Sequence, residues 1–165
     1  MNNIANHTIE STKKAPIGFT VSLKGRALRL LSGREYSRAE LANKLEAYET
    51  TPGELCKVLD ELQAKDFINE QRVLESVLYR RSAKLGAARI KQELESKGLD
   101  ASAILHAVDL LKSTELDRAR AVWCKKFGTA PHSASERAKQ MRFLQSRGFG
   151  AEVIYKVVSS AGEED

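Results

Sequence analysis

Cations are the residues of this chain whose types and spacing point to chemistry. Arg80, Arg81 and Lys84 stand at the end of one helical pattern and Arg89 and Lys91 at the start of the next, so five positive charges flank a single turn. Farther on, Arg118, Lys125, Lys126, Arg137 and Arg142 accumulate, and from 115 to 147 only Glu115, Asp117 and Glu136 oppose them. Such a pattern is suited to holding a polyanion, either nucleic-acid phosphates or an acidic protein surface. Cations at a helix C-terminus also complement the helix dipole, which accounts for Arg80, Arg81 and Lys84. It does not account for Arg89 and Lys91, at a helix start. The chain has 27 Lys and Arg against 22 Asp and Glu, a net charge of +5. Residues 69–113 and 114–165 carry +2 each, whereas 22–68 are neutral.

Residue types that do bond-making chemistry are scattered. His7, His106 and His132 lie far apart, and none is spaced with a cysteine as a metal ligand would be. The serines fall at helix starts and turns, where capping explains them. Gly33, Gly53 and Gly98 are isolated and form no phosphate loop. A catalytic role and a cofactor are therefore not expected. Cys56 and Cys124 are the only cysteines, belong to no C-x-x-C pair and sit within apolar helical patterns. They are expected to be buried free thiols in a reducing compartment. Trp123 shares an apolar stripe with Leu116 and Val122 and is expected in the core, whereas Tyr79, beside Arg80, could stack on a base.

The elements that must position these cations repeat along the chain. Leu41, Leu45, Leu55, Leu59 and Leu62 recur 49 residues later as Ile90, Leu94, Ile104, Val108 and Leu111. Leu144, Ile154 and Val158 repeat the second, third and fourth of these positions after one residue of slippage. Helical spacing at such a period predicts an all-α array of three tandem three-helix repeats, elongated and curved, that offers a long surface rather than a pocket. The expected units are residues 21–66, 67–112 and 113–160, between a flexible tail at 1–20 and a frayed end at 161–165.

Start and stop signals place the helices. Ser37 with Glu40, Thr51 with Glu54, and Ser133 with Glu136 each read as a capping box. Asp100 precedes a helix that carries Ile104, Leu105, Val108 and Leu111. Lys97-Gly98-Leu99 and Arg147-Gly148-Phe149 share a basic residue, a glycine and an apolar residue, the pattern of a left-handed helix end. Tyr48-Glu49-Thr50-Thr51 occupies that place in the first repeat without a glycine, so its turn must differ.

Composition bounds the class. Hydrophobic residues make up 42%, charged residues 30% and aromatic residues 6%, which suits an extended helical protein and not a large β-sandwich. No stretch approaches the ~18 consecutive apolar residues of a membrane span, and Asn2, Asn3, Asn6 and His7 interrupt any secretory core. A soluble, cytoplasmic protein without membrane contact is expected. It is expected to be monomeric, because no heptad seam remains once the core is assigned.

Three blocks resemble the RecX family: A-L-R-L-L-S-G-R-E-Y-S-R-A-E-L at 27–41, R-I-K-Q-E-L-E-S-K-G-L at 89–99 and R-F-L-Q-S-R-G-F at 142–149. The likeness runs from about residue 22 to 160. It departs at Asn69-Glu70-Gln71-Arg72-Val73, usually more acidic, and at Leu85-Gly86, usually an aromatic–glycine pair. The resemblance implies a regulator that lodges in the groove of the RecA filament on single-stranded DNA. It would inhibit ATP hydrolysis, strand exchange and repressor cleavage and so modulate DNA repair and the SOS response. Some members also bind DNA. The family has no catalytic residues to transfer. The ten cations named above are the expected contacts to RecA or DNA. The alternative is a general DNA-binding repeat protein that does not depend on RecA, and a third reading is an interaction scaffold with no nucleic-acid role.

Overall fold

The computed structural model describes residues 21–160, and the tail and frayed end expected at either side lie outside them. Among the described residues there are nine α-helices and no strand. Helices α1 (Leu23–Leu31), α2 (Arg38–Leu45) and α3 (Glu54–Ala64) come first, with a 3-10 turn at Glu46–Tyr48. Helices α4 (Glu70–Arg81), α5 (Ala87–Ser96) and α6 (Ala101–Lys112) follow, then α7 (Glu115–Lys126), α8 (Ala134–Ser146) and α9 (Ala151–Ser160). Every repeat position read from the sequence is buried, from Leu41 to Val158. The first position of the third triplet, which broke the apolar pattern, is Gln140. It is buried too, accepting a 2.8 Å hydrogen bond from Trp123 Nε1 and donating to the Thr129 carbonyl. A polar side chain can replace the leucine there because both ends of its amide are satisfied.

Each triplet closes its own core. One cluster draws on residues 23 to 68, a second on 73 to 111 and a third on 119 to 158; only Ile68 lies past an expected boundary, packing into the first core two residues beyond 66. The repeats are therefore joined by polar and backbone contacts, as in an array whose units touch only their neighbours.

Both junctions use the same part. At the first, the Lys97–Gly98 turn of the second triplet sits on the start of α2. Ser37 Oγ donates to the Lys97 carbonyl at 2.6 Å, and Lys97 Nζ reaches Glu40 Oε1 at 2.7 Å. Arg72 adds a second tie, its Nε donating to Glu35 Oε1 at 3.0 Å. At the second junction, the Arg147–Gly148 turn of the third triplet sits on the start of α5. There Gly86 N–H donates to the Arg147 carbonyl at 2.9 Å, Ala88 N–H to the Gly148 carbonyl at 3.3 Å, and Ala87 N–H to Glu115 Oε1 at 2.9 Å. Gly98 and Gly148 both have positive φ, +68° and +82°, as the two matching motifs predicted. The corresponding turn of the first triplet is the 3-10 segment Glu46–Tyr48, without glycine.

Helix starts confirm some signals and correct others. Ser37 and Glu40 form the full capping box, and Asp100 accepts from the Ser102 and Ala103 amides. The box expected at Thr51 does not form: Gly53, at φ +84°, is the N-cap of α3 and offers no side chain. Glu49 replaces it from outside the turn, accepting from Leu55 N–H at 3.0 Å. At α8 Ser133 caps Glu136 N–H, but the Glu136 carboxylate reaches back one residue farther, to His132 N–H. Leu105 is exposed, because Ile104, Val108 and Leu111 already occupy the inward face and Leu105 lies one step around from it. Glu49→Ala should lower stability by about 1 kcal/mol through loss of this substitute cap. A shift in urea midpoint measures it, and an unchanged midpoint would show that the α3 amides are satisfied otherwise.

Candidate functional site

The cations group differently from their order in sequence. Of the five around the turn at 82–86, three divide between two recesses. Arg81 and Arg89 line one of about 480 Å3 with Gln92 and Glu93, and it is not purely basic, since Arg81 Nε pairs with Glu93 Oε2 at 3.0 Å. Lys84 lines the other, of about 470 Å3, at the junction of the second and third triplets. Lys125 and Lys126, from the last turn of α7, and Arg147, from the end of α8, line it too. Its apolar wall is formed mainly by Ala121, Val122 and Phe143.

The remaining cations have other surroundings. Arg80 is exposed, its Nε donating to the Ser76 carbonyl at 3.0 Å. Lys91 pairs with Glu95 one helical turn on, at 3.7 Å. Arg137 donates to Ser159 Oγ at 2.6 Å and lies 5.8 Å from the Tyr155 ring centroid. Arg142 is exposed and forms no ion pair among the described residues.

Arg118 is half-buried and bonded within the protein. Its Nη1 donates to the Ser82 and Leu85 carbonyls at 2.8 and 2.6 Å, and its Nη2 to the Leu111 carbonyl at 2.9 Å. Those are end carbonyls of α4 and α6 and of the turn beyond α4, groups that a helix cannot satisfy by itself. Burial pulls its pKa below the ordinary arginine value despite the opposing charge of Glu115. The side chain is a pin between triplets, which sequence counting could not separate from a surface charge.

Arg147 is the functional candidate absent from the expected contacts. Its guanidinium lies 4.6 Å over the Phe143 ring centroid, and its buried Nε has no acceptor within the protein. In the sequence Arg147 stands both among the third-repeat cations and in a helix-end motif; that its side chain lines a basic recess depends on the docking of its turn.

Both cysteines are exposed, contrary to the burial expected from their flanking residues. Cys56 lies on the outer face of α3, where Arg38 Nη2 approaches its Sγ at 3.6 Å, and Cys124 follows Trp123 on the far side of α7. Trp123 is buried as expected, and Tyr79 is 89% exposed on α4. No group of three or more potential metal ligands occurs among the described residues, and none of their helices is long and apolar enough to cross a membrane.

Comparison with known proteins places this geometry in a family. Residues 24–62 match the family description "RecX, first three-helix domain", and residues 113–158 match "RecX, third three-helix domain". The regulatory protein RecX of Leptothrix cholodnii is 50% identical over 144 residues, covering 87% of this chain and 92% of that protein. That of Herminiimonas arsenicoxydans is 44% identical over 145 residues, covering 88% and 96%. The crystal structure of RecX from Lactobacillus salivarius superposes with a TM-score of 0.69 over 86% of this chain and 95% of that one. At 20% identity it supports the helical-repeat fold alone.

Proposed function

The chain belongs to the RecX family of regulatory proteins, and on that footing we propose that it binds the RecA filament on single-stranded DNA and inhibits RecA. It is a regulatory protein and not an enzyme. The observation that carries the proposal is 50% identity over 87% of the chain to a protein named as a regulator, in a chain whose charge excess falls mostly in residues 69–165. It would act as a monomer in the cytoplasm, lying in the filament groove and restraining ATP hydrolysis, strand exchange and repressor cleavage. Three separately cored units joined at polar junctions can follow a polymer across several subunits, which a compact globule of equal mass cannot. Bridging subunits opposes the relative motion that couples nucleotide turnover to filament growth. The contact face would comprise the recess cations Arg81, Lys84, Arg89, Lys125 and Lys126, with Arg80, Lys91, Arg137 and Arg142 around them. Arg118 is excluded because its donors are engaged inside the protein.

The test is RecA ATPase on single-stranded DNA titrated with this protein. Inhibition at fewer than one protein per RecA is expected, and no inhibition up to one per RecA rejects the reading. The second reading, DNA binding independent of RecA, is favoured by the all-cation rim of the recess lined by Lys84 and Arg147. It requires association with bare single-stranded DNA that falls steeply with salt.

A further inference from the structure

We propose that the recess between the second and third repeats holds one nucleotide of a single-stranded nucleic acid, its phosphate among Lys84, Lys125, Lys126 and Arg147 and its sugar and base against Val122 and Phe143. The proposal rests on and deepens the second reading above, direct DNA binding, and it is tested without RecA so that it and the RecA reading can fail separately.

The charge arrangement is the first support. All four polar residues that line the recess are cations, and no carboxylate lines it. None of the four forms an ion pair among the described residues, although that surface holds eleven such pairs elsewhere. Like charges gathered without counter-charge repel one another, and an anion between them relieves that repulsion. Arg147 supplies the second support: with its guanidinium over Phe143 and its buried Nε lacking any protein acceptor, it is oriented before a ligand arrives. Its turn is held from behind, since the Arg147 carbonyl accepts from Gly86 N–H.

Size and chemistry together select the occupant. A volume of about 470 Å3 lies within the range of small-molecule sites, and an apolar wall beside a cationic rim matches a nucleoside phosphate. That chemistry could come from a polymer or from a free nucleotide. A site selective for a free nucleotide needs amide, hydroxyl or carboxylate groups to read the base edge, and no such side chain lines this recess. Backbone charge with an apolar or aromatic surface and no base-edge readout is the way single strands are held without sequence preference. The occupant is therefore placed in a polymer. Because Lys84 belongs to the second repeat and its companions to the third, an occupant also bridges that junction.

The test measures binding of the full chain to a fluorescein-labelled oligothymidylate by anisotropy at low salt. Lys84→Glu with Lys125→Glu is compared with Arg29→Glu with Lys44→Glu, an equal charge change at exposed residues lining a recess of the first repeat. All four side chains are exposed and outside ion pairs, so helicity by circular dichroism should be unchanged. The recess variant should bind at least tenfold more weakly and the control less than threefold. Equal losses in the two variants, no loss in the recess variant, or no binding by the unaltered protein would overturn the proposal. Excess ATP should not displace the oligonucleotide; displacement would overturn the polymer assignment in favour of a free nucleotide.

Discussion

Gly86→Ala is expected to separate the third repeat from the second at a cost of about 3 kcal/mol or more. Gly86 has φ near −76°, which any residue adopts, so conformational freedom is not the reason for glycine there. The reason is space. A Cβ at this position would lie 2.2 Å from the Gly148 carbonyl oxygen and 2.3 Å from Phe149 N, both backbone atoms that cannot swing aside. Making room moves the turn away, which breaks the bonds from Gly86 and Ala88 N–H to the Arg147 and Gly148 carbonyls. Those bonds cap α5, which has no side-chain cap of its own. Trp123 is the only tryptophan and belongs to the third core, so its fluorescence during urea unfolding reports on that repeat directly. An earlier tryptophan transition is expected, with most of the first repeat's helicity lost later. A transition that coincides with that of the unaltered protein would show that the turn can shift without loss.

Glu40→Ala should destabilise the first junction by about 3 kcal/mol, combining a broken, largely buried ion pair with a lost cap. Glu40 closes the capping box through Ser37 N–H, receives Lys97 Nζ at 2.7 Å and accepts from Arg34 Nη2 at 3.1 Å. Lys97 is only 8% exposed, so removing its partner leaves a charge largely cut off from water. Burial by itself would raise the Glu40 pKa, but bonds from Lys97, the Ser37 amide and Arg34 outweigh it and hold the carboxyl below its ordinary 4.5. A depressed folded-state value means that the contribution is complete above about pH 4.5 and is lost as pH falls below it toward the folded value. The gap between the unaltered protein and Glu40→Ala should accordingly be widest near neutrality and close in acid. Urea midpoints from pH 7 down to pH 3 measure it, and a gap independent of pH would rule out the carboxylate as its origin.

Much of the architecture was legible because it rests on local rules. Apolar side chains 49 residues apart found equivalent buried places because each repeat is the same three-helix unit closing its own core. The glycines after Lys97 and Arg147 had to mark left-handed ends, since a residue with a Cβ is strained there. Ser37 and Asp100 capped as their spacing required. The errors share a cause. Cys56, Cys124 and Leu105 have apolar neighbours in sequence but lie outside the inward stripe, and the width of that stripe depends on how closely the other two helices approach. The Thr51 signal failed because a carboxylate four residues before the Gly53 N-cap, Glu49, could reach the Leu55 amide first.

The residue order by itself determined the helices, their triple repetition and the presence of a charge excess, because periodicity, capping and net charge act within or between near neighbours. It carried the family resemblance in the same way. Only the tertiary structure decided what each cation does. Arg118 and Arg147 are both arginines of one repeat, yet the first satisfies end carbonyls across a junction and the second lines an open basic recess. Lys84 meets Lys125 and Lys126 because glycine at position 86 lets two backbones touch. Charge is a property of a residue, but a binding site depends on distances between residues far apart in the chain, and those are set by how the repeats dock.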